Sequence, residues 1–344
     1  MTHLLPEWPS QWGVLLAWPH DGTDWADLLP AAEVTYTAIA KAVLEREHLL
    51  VICRDTAHAD HIRALLRNAG AALSRLQLRA LPYNDTWARD FGPIVVTRQG
   101  ELRLLDFTFN GWGNKFAASD DDALNQRLQW SAPLEPVALV LEGGSIDTDG
   151  EGVLLTTRHC LLNPNRNPSL DETAIEAQLK QALGVRDIWW LEHGHLEGDD
   201  TDAHVDTLAR FCDARTIAYV QCEDAEDSHF PALQAMQAEL EALATRHALR
   251  LVPLPMATAQ YGNDGERLPA TYANFLIING AVLAPTYACE TDEVALTRLQ
   301  EAFPHHEVIG IDCRPLIAQH GSLHCVTMQL PEGCHPLPSS EGAL

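Results

Sequence analysis

Apolar, β-branched runs of strand length punctuate the chain along its whole length. They fall at residues 13–18, 48–53, 76–81, 94–97, 102–107 and 137–141, and continue at 153–157, 187–191, 216–222, 249–254, 275–284, 307–311 and 323–330. Helical periodicity rich in Ala, Leu, Glu and Gln occupies 31–47, 57–68, 121–128, 170–183, 230–247 and 291–303, the last stopped by Pro304. From the second helix onward the helical segments recur at roughly 60 residues, each with short strands on both sides. This spacing predicts an α/β chain in which a module of strands and one helix repeats about five times. An irregular α/β sandwich fits the same pattern.

Pro and Gly are scattered, and no Ser/Gly-rich or Pro-rich stretch interrupts the alternation, so residues 1–344 are expected to form one domain, with a short tail from about 332. With 46% hydrophobic and 21% charged residues, the chain has the apolar material for a large core. Lys and Arg number 23 against 48 Asp and Glu, a formal net charge of −25. Nucleic-acid phosphates and anionic membrane surfaces are repelled by such a chain, whereas a small cation is drawn in. The opening Met1-Thr-His-Leu-Leu-Pro-Glu-Trp lacks the basic start and apolar run of a signal peptide, and no segment reaches about 18 uninterrupted apolar residues, so a cytoplasmic protein is expected. The eight cysteines form no Cys-x-x-Cys pair and no disulfide framework, and most are expected to be reduced and buried.

Four polar segments fall at predicted strand edges: Asn84-Asp-Thr-Trp-Ala-Arg-Asp-Phe-Gly-Pro93, Glu142-Gly-Gly-Ser-Ile146, Asp199-Asp-Thr-Asp-Ala-His-Val-Asp206 and Gly321-Ser-Leu-His-Cys325. Cys325 opens an apolar strand beside His324, a position that suits either core packing or a nucleophile. His204 and Asp206, two apart on an expected extended segment, point to one side. With Asp199, Asp200 and Asp202 nearby, that segment reads equally as a satisfied histidine, a cation site or half of a catalytic pair. Glu142 precedes two glycines that permit close approach of a ligand, though a β-turn with a solvated carboxylate looks the same. Asp85, Arg89 and Asp90 around Trp87 can form a pocket for a flat cation or a structural Asp–Arg pair beside a half-buried ring.

Taken together, these segments resemble the agmatine deiminase and bacterial-type peptidylarginine deiminase family of the guanidino-modifying pentein superfamily. The resemblance is carried by Trp87-Ala-Arg-Asp90-Phe-Gly-Pro, Glu142-Gly-Gly-Ser, Cys160-Leu-Leu-Asn-Pro-Asn-Arg-Asn-Pro168, Asp200-Thr-Asp-Ala-His204-Val-Asp206, Tyr272-Ala-Asn-Phe275 and Gly321-Ser-Leu-His-Cys325. They stand in family order, and the likeness runs from near residue 8 to about 330. It implies a five-bladed α/β propeller of ββαβ modules with the active site on its axis. It further implies Cys325 as nucleophile, His204 as general acid and then base, and Glu142 as the carboxylate orienting it. Asp90 and Asp206 are expected to grip a guanidinium, with Trp87 flanking the substrate's alkyl chain. No metal or cofactor is implied, the expected partner is a small cationic guanidine, agmatine first, and the sequence leaves a homo-oligomer open.

The chemistry agrees with these assignments. A guanidinium carbon is a poor electrophile and calls for a thiolate, and two carboxylates can hold four of its N–H groups beside the sulfur. Glu142 is expected to raise the imidazole pKa, and cationic neighbours to lower that of the thiol. Asp202 and Ala203 stand where the family would have Asn and Gly, and Gln319-His320-Gly321-Ser322-Leu323 replaces a glycine-rich approach to the cysteine, changes that bear on the alkyl end of the substrate. Other readings are a deiminase of peptidyl, free or methylated arginine, a metal-dependent hydrolase built on His193, His195, His204 and the Asp199 to Asp206 acids, and a propeller that only binds.

Overall fold

The computed structural model describes residues 2–338. Five small sheets share one plan. In four of them an antiparallel pair of strands is followed by a crossover that returns a third strand parallel to the second. In one such sheet Ile146–Thr148 pairs with Val153–Thr157, and the helix Glu172–Leu183 leads to parallel Asp187–Leu191. The next repeats this with Ala209–Asp213, Thr216–Gln221, the helix Phe230–His247 and Arg250–Pro255. Another uses Leu276–Ile278, Ala281–Thr286, the helix Asp292–Ala302 and Glu307–Asp312. The right-handed twist of strand and helix makes this crossover the natural way to place two parallel strands side by side. The predicted repeat is therefore real, and the fold is a five-bladed α/β propeller.

Two blades depart from the plan. In the blade holding Ile94–Arg98, Glu101–Thr108 and Leu134–Val140, the helix expected at 121–128 is two separate turns, Ser119–Asp122 and Leu124–Arg127. Asp121 and Asp122 turn inward there to accept from the backbone N–H groups of Asn84, Asp85 and Phe109, which holds the segment to single turns. The remaining blade is closed by the two ends of the chain. Thr327–Pro331 runs antiparallel to Gln11–Ala17, which is followed by Leu29–Leu44, His48–Cys53, Thr56–Asn68 and Leu76–Ala80.

Each blade buries its apolar face against the next. Ile94, Val96 and Leu105 meet Leu154, Ile175 and Leu179, while Val153, Leu155 and Leu191 meet Phe211, Leu233 and Met236. All eight cysteines are free thiols, and all but Cys289 are buried. The tail expected from 332 is described to residue 338. Over that length it lies on the body, with Pro336 bridged to Trp130 and the His335 ring stacked on Trp12 at 5.8 Å. Residues 339–344 lie outside the described part. No helix among the described residues is long and apolar enough to cross a membrane.

Three strands escaped the sequence pattern: Thr2–Leu4, Ile146–Thr148 and Ala209–Asp213. The run read as one strand at 275–284 is a hairpin turning at Asn279-Gly280, and the run at 323–330 becomes a strand only at Thr327. Close strand packing is tightest at Gly13, where a Cβ would lie 2.1 Å from the carbonyl oxygen of His48 in the neighbouring strand. Gly13→Ala is therefore expected to cost about 2 kcal/mol of stability or more, read as a lowered midpoint in urea unfolding.

Candidate active site

Five loops converge on the axis, and each immediately precedes the first strand of a blade. They carry Asp90 ahead of Ile94–Arg98, Glu142 to Gly144 ahead of Ile146–Thr148, and His204 with Asp206 ahead of Ala209–Asp213. Asn274 stands ahead of Leu276–Ile278, and His324 with Cys325 ahead of Thr327–Pro331. The repeat thus brings residues far apart in sequence to equivalent places around one point. All are buried, Cys325 leaving only 6% of its surface exposed.

Asp90 is aimed by two donors. Gly144 N–H reaches Oδ1 at 2.9 Å and Trp112 Nε1–H reaches Oδ2 at 2.8 Å. The reason for glycine at 144 is direct: a Cβ there would lie 2.6 Å from His204 Nδ1, 2.9 Å from Asp90 Oδ1 and 3.0 Å from Asp206 Oδ2. Asp206 Oδ2 accepts from His324 Nδ1 at 2.8 Å and lies 4.0 Å from Cys325 Sγ. Its Oδ1 is buried without a partner, as is His204 Nε2. Asn274 Oδ1 accepts from the backbone N–H of His324 at 2.8 Å and from Cys325 Sγ–H at 3.4 Å, fixing the loop that presents the sulfur.

His204 and Asp206 do converge, but not by strand alternation. The chain turns through a 3₁₀ turn at Val205–Thr207, with His204 as its first flanking residue. Nor does Glu142 hydrogen-bond the His204 ring. Both Glu142 oxygens accept from Arg166 Nε, at 2.8 and 2.9 Å, and the pair is fully buried. Arg166, in the motif that begins at Cys160, was quoted in the sequence without a role. Burial disfavours a charged His204, yet Asp90 at 3.6 Å from Nδ1, followed by Cys160 and Glu142, outweighs it and lifts the pKa well above the histidine norm. The expected depression of the thiol is reversed. Burial, then Asp206 and Asp90, push Cys325 well above the usual thiol value, because the groups facing it are anions.

The histidines of the metal reading do not assemble. His193 is exposed and pairs with Glu239, and His195 is exposed beside His229. Asp199 is used by its own loop, accepting from Thr201 and from Ala203 N–H, and Asp202 binds Arg166 and Lys115. Among the described residues, Glu142, Cys160 and His204 alone bring possible ligand atoms together, within 4.8 Å of one another. Arg166 already meets the charge of that trio.

The site opens into a cavity of about 240 Å³ lined by Asp90, Cys325, Trp87, Trp112, Phe116, Gly321, Gln319 and His320, with Asp24, Asp85 and Asp200 adding carboxylates. Asp85 draws Trp87 and Trp25 together by accepting from both indole N–H groups, at 3.0 and 2.9 Å. Arg89 points away, toward Gln329 and the His324 carbonyl. No Lys or Arg lines this cavity.

The sequence matches the family described as Porphyromonas-type peptidyl-arginine deiminases over residues 3–331. The chain belongs to that family. Relatives include an agmatine deiminase of Stutzerimonas stutzeri, 33% identical over 94% of this chain and 94% of that one. Solved structures include a cysteine-to-serine variant of Campylobacter jejuni agmatine deiminase with substrate bound, at TM-score 0.90, 40% identity and 97% of both chains. A Porphyromonas gingivalis protein provisionally named an arginine deiminase gives TM-score 0.90 and 51% identity over 97% of this chain and 99% of that one.

Asp202 and Ala203, expected from the resemblance to be Asn and Gly, both adopt left-handed backbone, at φ 67° and φ 64°. Asp tolerates this conformation, but a buried alanine is strained in it. Ala203→Gly is expected to stabilise the protein by about 1 kcal/mol, seen as a raised thermal midpoint.

Proposed function

We propose that this family member hydrolyses agmatine to N-carbamoylputrescine and ammonia through a covalent intermediate on Cys325. The observation that carries the reading is the pairing of Asp90 and Asp206 beside a buried thiol and imidazole, at one end of a cavity rich in carboxylates and free of Lys and Arg. Names borne by relatives with 33% and 40% identity support it.

Asp90 and the orphaned Asp206 Oδ1 accept N–H donors of the guanidinium and set its carbon beside sulfur. In the free enzyme the thiol is protonated and the ring charged. The bound guanidinium places a positive charge beside the Cys325 sulfur and opposes the anions that hold its thiol protonated. The thiol proton leaves to solvent, and the substrate thereby creates its own nucleophile.

The thiolate adds to the guanidinium carbon and forms the C–S bond. His204 gives its proton to one amino group, the C–N bond breaks, and ammonia leaves a cationic thiouronium on sulfur. Neutral His204 then takes a proton from water, and hydroxide adds to the same carbon. Collapse breaks the C–S bond, releases the urea product and returns the hydroxyl proton to the enzyme. Trp87 and Trp112 wall the alkyl chain, and Asp24, Asp85 and Asp200 receive the distal ammonium. Free arginine would bring a carboxylate to the same end with no cation to meet it, and that favours agmatine.

Ammonia release tests the reading directly. Wild type should prefer agmatine over arginine and over a blocked arginine peptide by roughly a hundredfold or more in kcat/KM. Cys325→Ala should lose roughly 10⁴-fold or more. Equal turnover of arginine would overturn the substrate, and an active Cys325→Ala would overturn the nucleophile.

Burial, with the charges of Asp206 and Glu142, raises the Asp90 pKa despite its proximity to His204. Protonation of Asp90 removes half of the cation clamp, so kcat/KM should fall on the acid side at a pH above the ordinary carboxylate range. A pH–rate profile flat down to pH 4 would contradict this.

A further inference from the structure

His324 was legible only as the neighbour of the cysteine. In the structure its ring does not enter the cavity but lies behind Asp206, clamped at both nitrogens. Nδ1 is 2.8 Å from Asp206 Oδ2 and Nε2 is 2.9 Å from Glu7 Oε2. Glu7 comes from the segment after Thr2–Leu4, at the far side of the axis, and is itself buried. Its Oε2 accepts from Arg210 Nη2 at 2.8 Å and lies 3.8 Å from Arg89 Nη2, and its Oε1 accepts from Ile277 N–H at 2.6 Å. Arg210 also binds Asp147 Oδ2 and the Phe275 carbonyl, while Arg89 Nε–H reaches the His324 carbonyl.

Burial opposes ionisation of Glu7, but Arg210, His324 and Arg89 prevail and hold it far below the carboxylate range. Burial likewise opposes ionisation of Asp206, and its His324 hydrogen bond and charge lead the groups that bring its pKa below the usual value. Two ionised carboxylates can only accept, so the ring between them donates from both nitrogens and is an imidazolium.

We infer that His324 is a positioning residue for guanidinium recognition: a charged link between Glu7 and Asp206 that turns Asp206 Oδ2 away from the cavity and leaves Oδ1 free for the substrate. The inference rests on the reading of Asp206 as a substrate-gripping carboxylate. It assigns Glu7, which makes no approach to the cavity, a part in substrate binding from the opposite side of the axis. The charged and titratable groups facing His324 are Glu7, Asp206, Arg89, Arg210 and Cys325.

The test pairs spectroscopy with kinetics. In ¹⁵N-histidine-labelled wild type without substrate at pH 7, the His324 ring, assigned with His324→Gln, should show both nitrogens protonated. In Glu7→Gln the Nε2 signal should shift as it loses its carboxylate partner. In the same variant the KM for agmatine should rise roughly ten- to a hundredfold, with kcat changed several-fold less. A neutral ring in wild type, or a folded Glu7→Gln with wild-type KM, would overturn the inference. Should His324→Gln fail to fold, the Glu7→Gln kinetics decide alone. A wild type inactive on agmatine would overturn the substrate reading, while the ring's charge, read without substrate, still judges this one.

Discussion

An ionised Asp206 with no solvent around it is the constraint on which the rest of this structure depends. Alone, a carboxylate in that position would take up a proton. It stays charged because His324 donates to one oxygen, and Glu7 accepts from the other nitrogen of the same ring. Arg210 and Arg89 then meet Glu7, and Asp147 meets Arg210. Each charge is admitted to the interior by the next, as buried ions must be. At the end of this relay the second oxygen of Asp206, Oδ1, is left without a hydrogen-bond partner.

The propeller makes such a relay possible. Since every blade begins with a loop at the axis and a short strand behind it, five segments distant in sequence deliver side chains to one small volume. A loop in one blade is braced by a neighbouring blade: Gly144 N–H holds Asp90, Asn274 holds the Cys325 loop, and Arg89 N–H donates to the Cys325 carbonyl. Positions are thereby fixed by contacts across the ring, which suits a reaction that must hold a delocalised cation against one sulfur atom.

Much of this was legible in the sequence, and the failures have a common cause. Strands in the middle of the blades, such as His48–Cys53 and Val153–Thr157, announce themselves by apolar runs, because they are buried on both faces. The first strands Ile146–Thr148 and Ala209–Asp213 carry Asp147 and Arg210 toward the axis, and those charges erase the apolar pattern. The candidate residues Asp90, Glu142, His204, Asp206 and Cys325 were found as a set through the resemblance, and the structure does bring them together. Their supporting partners Glu7, Arg166, Arg210 and Asn274 carry no local signature of that work. An isolated glutamate after a proline reads as a solvated charge until the fold shows what lies across the axis. The direction of the Cys325 shift was misjudged for the same reason, since neighbours in space rather than in sequence decide it.

The strand Thr327–Pro331 seals the ring against Gln11–Ala17, and Cys325 stands two residues ahead of it. During synthesis Cys325 therefore emerges after Asp90, Glu142, His204 and Asp206, and the same pairing that seals the ring delivers its sulfur to the axis. A growing chain holds those four side chains without the thiol. The five come together only when the ring has shut.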